Sequence, residues 1–157
     1  MRAITHIAAS TAAATAAGIA VEPSAAAGLF LFGGFLDVDH VGLFVSSGLP
    51  ATPAALFHSV FRNEKQLEKK YSVKRSVPPS WLFPALHSLE LVLLLAASGV
   101  LLKFPFLLWG SAGIALHLSM DLGSYPQSPL FFSILWRYFN RKKLMEAWVT
   151  HRSNVQW

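Results

Sequence analysis

The fold of this chain turns on one stretch, WLFPALHSLELVLLLAASGVLL (residues 81–102). Its 22 residues include one acid and one imidazole but no Lys or Arg. A bilayer core requires about 20 predominantly apolar residues from a spanning helix, so the stretch reads as a membrane span. After the single Lys103, residues 104–122 form a second apolar run, and the two are expected to make an antiparallel helical pair joined by a turn at 103–105. Upstream, residues 3–21 are rich in Ala and Thr, with good helix propensity and weak hydropathy. Residues 24–40 follow after a break at Glu22-Pro23. The expected architecture is therefore all-α: an integral membrane bundle of about four helices, spanning 3–21, 24–40, 81–102 and 104–122, in a single domain covering 1–157.

The remaining segments are more polar. Residues 50–80 carry the breakers Pro53, Pro78 and Pro79 and read as a basic loop with a short amphipathic helix. The tail, 129–157, mixes Phe131, Phe132, Trp136, Tyr138, Phe139 and Trp148 with Arg and Lys, the pattern of an amphipathic helix lying at the membrane interface. A second reading of residues 1–27 is a secretory signal, since Arg2, an apolar run and "SAAA" imitate its three regions. The absence of Leu before Leu29 and the presence of His6 speak against it.

Composition agrees with a membrane setting. Of 157 residues, 54% are hydrophobic and 13% charged, whereas ordinary soluble domains carry about 25% charge; mean hydropathy is +0.45. The chain has no cysteine, which excludes disulfides, thiolate zinc sites and Cys nucleophiles and leaves His and carboxylates as metal donors. The formal charge of +5 is concentrated in two places, six basic residues within 62–75 and four within 137–143. A basic balance suits nucleic acid or anionic lipid. Beside apolar spans it favours lipid, and no nucleic-acid partner is expected. With four spans, both basic segments fall on one side, which the positive-inside rule makes cytoplasmic. The expected setting is a prokaryotic inner membrane with both termini in the cytoplasm.

Tracing the ionisable residues through this topology brings them to one level. His6 opens the first helix, Asp37, Asp39 and His40 close the second in "FLDVDH", His87 and Glu90 lie near the start of the third, and His117 and Asp121 end the fourth. On continuous helices His87 and Glu90 (i, i+3) share a face, as do His117 and Asp121 (i, i+4). Intramembrane ionisable groups are expensive and face a bundle interior where they pair or bind something. Carboxylates and imidazoles with few buried cations beside them call for a metal ion. Such donors suit Zn²⁺ first, and Mn²⁺ or Fe²⁺ with carboxylate bridging, as one ion or two.

Three motifs in this order, "FLDVDH", "LHSLELVLLL" and "HLSMDLGSYP", after an early His, resemble the membrane-bound metal-dependent hydrolases called YdjM-like, which share a related pattern with zinc-dependent phospholipase C-like proteins. The likeness runs from His6 to Pro129, with Leu86 where that family commonly has Thr. The resemblance implies a metal site of His6, Asp37, Asp39, His40, His87, His117 and Asp121, and hydrolysis by a metal-activated water. Glu90 is the candidate general base or outer partner of a ligand. His58, Arg62 and Lys65, in the basic loop, are candidates for binding an amphiphilic or phosphorylated substrate such as a lipid headgroup. Two rivals stay open: a metal or proton transporter, and an adaptor whose ion is structural. Transport calls for ionisable groups near the midplane with access from both sides, whereas 91–97 and 110–116 are free of charge.

Overall fold

The computed structural model describes residues 3–40, 52–55, 85–122 and 129–154. Within these, five α-helices and two 3-10 turns follow in order: α1 (Ala3–Ala20), α2 (Pro23–Gly34), a turn at Leu36–His40, α3 (Leu89–Leu101), α4 (Pro105–Asp121), a turn at Pro129–Phe132, and α5 (Ile134–Asn154). No strand occurs among the described residues, so the all-α class stands. Of the basic loop 50–80 only residues 52–55 are described, so His58, Arg62 and Lys65 lie outside the described residues.

Local chemistry sets the helix boundaries. Pro23 stands at the first position of α2 and Pro105 at that of α4, where a missing N–H costs nothing because that donor has no partner within the helix. The α3–α4 turn is a Schellman motif. Lys103 takes a left-handed conformation at φ 51°, its N–H donates to Val100 O at 3.2 Å, and Phe104 N–H donates to Gly99 O at 2.9 Å.

The long span expected at 81–102 is shorter in the structure. Ser88 is extended (φ −137°, ψ 142°) and its hydroxyl accepts from Leu91 N–H at 3.2 Å, so α3 begins only at Leu89. Its 13 residues reach about 20 Å at 1.5 Å per residue. Likewise α2 stops at Gly34, and residues 36–40 tighten into a 3-10 turn. Among the described residues no helix is long and apolar enough to cross a membrane.

In space α2 and α4 form the centre, with α1 against α2 and α3 against α4. The central pair approaches at backbone distance because it meets through glycines. A Cβ at Gly113 would lie 2.7 Å from Leu29 O, and one at Gly28 would collide with Phe106 O. Small residues let helices close in this way where side chains would hold them apart. The tail contributes to the core as well. Phe131, Phe132 and Leu144 are buried in one cluster with Leu36, Ile114 and Leu118, so the start of the tail is core that folds back over the ends of α3 and α4.

Candidate metal centre

Because the first four helices run alternately up and down, the start of α1, the end of α2, the start of α3 and the end of α4 meet at one end of the bundle. There Asp37, His87, His117 and Asp121 each direct one donor atom to a common point, all four atoms within 4.8 Å of one another. His87 Nε2 and His117 Nε2 are 3.2 Å apart. Asp37 Oδ1 is 3.5 Å from both of these nitrogens, and Asp121 Oδ2 is 3.5 Å from His117 Nε2 and 3.8 Å from His87 Nε2. A tetrahedron with Zn–ligand bonds of 2.0–2.1 Å has edges of about 3.3 Å, close to these five separations of 3.2–3.8 Å.

The surrounding hydrogen bonds sharpen the assignment. His117 Nδ1 lies 2.7 Å from Gly33 O. A carbonyl only accepts, so Nδ1 carries the proton and, in the neutral ring, the Nε2 lone pair points into the cluster. One N–H at His87 Nε2 would then face three acceptor atoms, the His117 lone pair and two carboxylate oxygens. A cation answers that arrangement better than a single proton does. The four residues could hold a metal ion.

His6 stands just outside the four. Its ring stacks on His117 with centroids 3.8 Å apart, and its Nε2 is 3.2 Å from Asp121 Oδ1, the oxygen turned away from the cluster. This is the position of an outer partner that orients a ligand carboxylate. His6, His87, His117 and Asp121 are buried, whereas the Asp37 side chain keeps 19% of its surface exposed. Of the four cluster residues, Asp37 is thus the most exposed.

Among the sequence candidates whose side chains are described, Glu90 does not join the cluster. Asp39 and His40 belong to the 3-10 turn that carries Asp37, but their side chains lie outside the described residues. Glu90, the expected general base, has another duty. Its Oε1 accepts from Ser133 Oγ at 2.6 Å and from Leu135 N–H at 3.3 Å, and its Oε2 accepts from Ile134 N–H at 3.0 Å. The carboxylate thus caps the N-terminus of α5, where unpaired N–H groups and the helix dipole draw negative charge. The i, i+3 spacing misled because His87 precedes the N-cap Ser88 and is not on the helix that bears Glu90.

Arg137 is a residue that sequence reasoning overlooked. Counted there only in the basic segment 137–143, it is fully buried, donates from Nη2 to His87 O at 3.4 Å, and lies over the Phe131 ring at 5.7 Å. The signal was its spacing: Leu144, seven residues on and so on the same helical face, is also buried. No protein-family model, no curated protein and no solved structure matches the chain. The class the fold and the site define is an all-α protein with a candidate His₂Asp₂ metal centre.

Proposed function

We propose that this protein is a membrane-embedded, metal-dependent hydrolase whose metal is held by Asp37, His87, His117 and Asp121. The observation that carries the reading is the convergence of two imidazole nitrogens and two carboxylate oxygens from three chain segments. Held by these four side chains, a divalent ion would lower the pKa of water toward neutrality and act as a Lewis acid toward a carbonyl or phosphoryl oxygen. The protein's part is to hold His117 through Gly33 O and Asp121 through His6, and to leave Asp37 accessible. Zn²⁺ is the first choice for this donor set, with Mn²⁺ or Fe²⁺ next. Hydrolysis rests on the likeness of the three motifs to the YdjM-like pattern. A phosphoester substrate of amphiphilic character rests on His58, Arg62 and Lys65 in the basic loop.

The membrane setting draws support from an inside-out pattern of apolar surface. Ile19 and Leu101 are 84% and 81% exposed, and Leu93, Leu94, Val100 and Leu102 also face outward. Residues 7–19, 24–34, 91–102 and 104–116 contain no charged side chain. Helices α1 to α4, at 12–18 residues, reach about 18–27 Å, so a bilayer core of about 30 Å is met by local thinning and by snorkelling of flanking side chains. The metal end and both termini face the cytoplasm of a prokaryotic cell in this reading.

A second reading, a structural ion in a transporter or adaptor, is favoured by the presence of four protein donors, since structural zinc sites are closed. Metal analysis of the purified protein, followed by a screen of phosphomonoester, phospholipid and amide substrates with Zn²⁺ or Mn²⁺, separates the two. The hydrolase reading expects bound metal that His117→Ala reduces to background, and turnover lost with it. Metal retained without turnover on any substrate class selects the structural ion, and wild-type protein that binds no metal rejects both. Membrane embedding is checked by alkaline carbonate extraction, which leaves an embedded protein in the pellet.

A further inference from the structure

We infer that α5 is a clamp on the metal ligand His87, fastened by Glu90 and Arg137 acting as positioning residues; the inference rests on the metal reading above. His87 is the only one of the four ligands directly before a helix rather than on a helix or the 3-10 turn. The hydrogen-bond ladder of α3 starts after Ser88, so it does not fix the backbone of His87. Two ties between this segment and α5 do so instead, and they run in opposite directions. From the α3 side, the Glu90 carboxylate grips Ser133, Ile134 and Leu135 at the start of α5. From the α5 side, the Arg137 guanidinium reaches back to the carbonyl of His87 itself. The two anchors, at His87 and at Glu90, hold the short segment that carries the imidazole.

The burial of Arg137 fits this role better than a topology signal. A fully buried guanidinium is costly unless it is paired and hydrogen-bonded, and an arginine that merely marked the cytoplasmic side would stay at the surface beside Arg141, Lys142 and Lys143, which are exposed. Here the guanidinium is held against Phe131, a residue of the buried cluster that also contains Leu118 of α4. A shift of α5 is thereby transmitted to His87 and so to its 3.2 Å spacing from His117. Glu90 and Arg137 touch the ion's ligand or its segment, not the ion.

The test uses the full chain and two probes: Zn²⁺ affinity by competition with a chromogenic chelator, and the ligand-field spectrum of Co²⁺ in the same site. Loss of an outer partner of a metal ligand typically weakens binding about 10–100-fold. Arg137→Met is expected to fall in that range, and Glu90→Gln and Arg137→Lys near its lower end. In each, the Co²⁺ bands of the folded protein should shift, a change that loss of stability alone does not produce. Lys142→Met, on the exposed face of α5, should bind as wild type, and Asp121→Ala should not bind. If Arg137→Met does not fold, Glu90→Gln and Arg137→Lys decide. Variants that keep the Co²⁺ spectrum and wild-type Zn²⁺ affinity, while Asp121→Ala loses it, overturn the clamp and leave the metal site intact. Wild-type protein that binds neither ion overturns the metal reading itself.

Discussion

Two adjacent glycines at the end of α2 give a direct measure of how the bundle is closed. A Cβ at Gly33 would stand 2.5 Å from Ser10 Oγ, 3.0 Å from Gly113 O and 3.3 Å from Gly113 Cα. The serine hydroxyl can rotate, but the backbone of α4 cannot. A Cβ at Gly34 would meet nothing closer than Ile7 Cα at 3.7 Å, ordinary contact. Exchanging Gly for Ala inside a helix favours folding by about 0.5–1 kcal/mol, and less near a helix end. Overpacking a tight contact costs about 1–3 kcal/mol. Gly34→Ala should therefore be neutral or stabilising by a few tenths of a kcal/mol, and Gly33→Ala destabilising by about 1–2 kcal/mol once the helix gain is subtracted. The assay is equilibrium denaturation of metal-free protein in detergent, followed by circular dichroism. Gly33→Ala also displaces the carbonyl that holds His117 Nδ1, so its Zn²⁺ affinity should fall while that of Gly34→Ala is kept. Equal stability of the two variants would refute the close α2–α4 packing.

Other expectations follow from single contacts. Lys103→Gly removes a Cβ from a left-handed position (φ 51°), whose strain is about 1 kcal/mol or more; partly offset by the entropy of an added glycine, it should raise the thermal midpoint, and a lowered midpoint would remove the Schellman account of the turn. His6→Ala should weaken Zn²⁺ binding about 10-fold or more by releasing Asp121, whereas His117→Ala abolishes it; identical losses in isothermal titration would make His6 a ligand in its own right.

The class of fold was written in the chain. Apolar runs broken at Glu22-Pro23 and at Lys103–Pro105 specify four helices whose ends alternate, because proline and polar breakers act locally and need no partner to be read. The meeting of distant groups at one end also follows from that alternation, and His117 with Asp121 shares a face by helical spacing alone. Tertiary structure decided the rest. Whether residue 87 belongs to a helix depended on Ser88 turning its hydroxyl to Leu91, and that cap separated His87 from Glu90. Only the packing of α5 could show that Glu90 is committed to Ser133 and that Arg137 is core, since a charged side chain carries no local mark of the partner that will accept it. Sequence periodicity reports which face of an element is apolar. Which groups meet across faces is fixed by how closely the elements pack, and here the small residues of α2 and α4 set that distance.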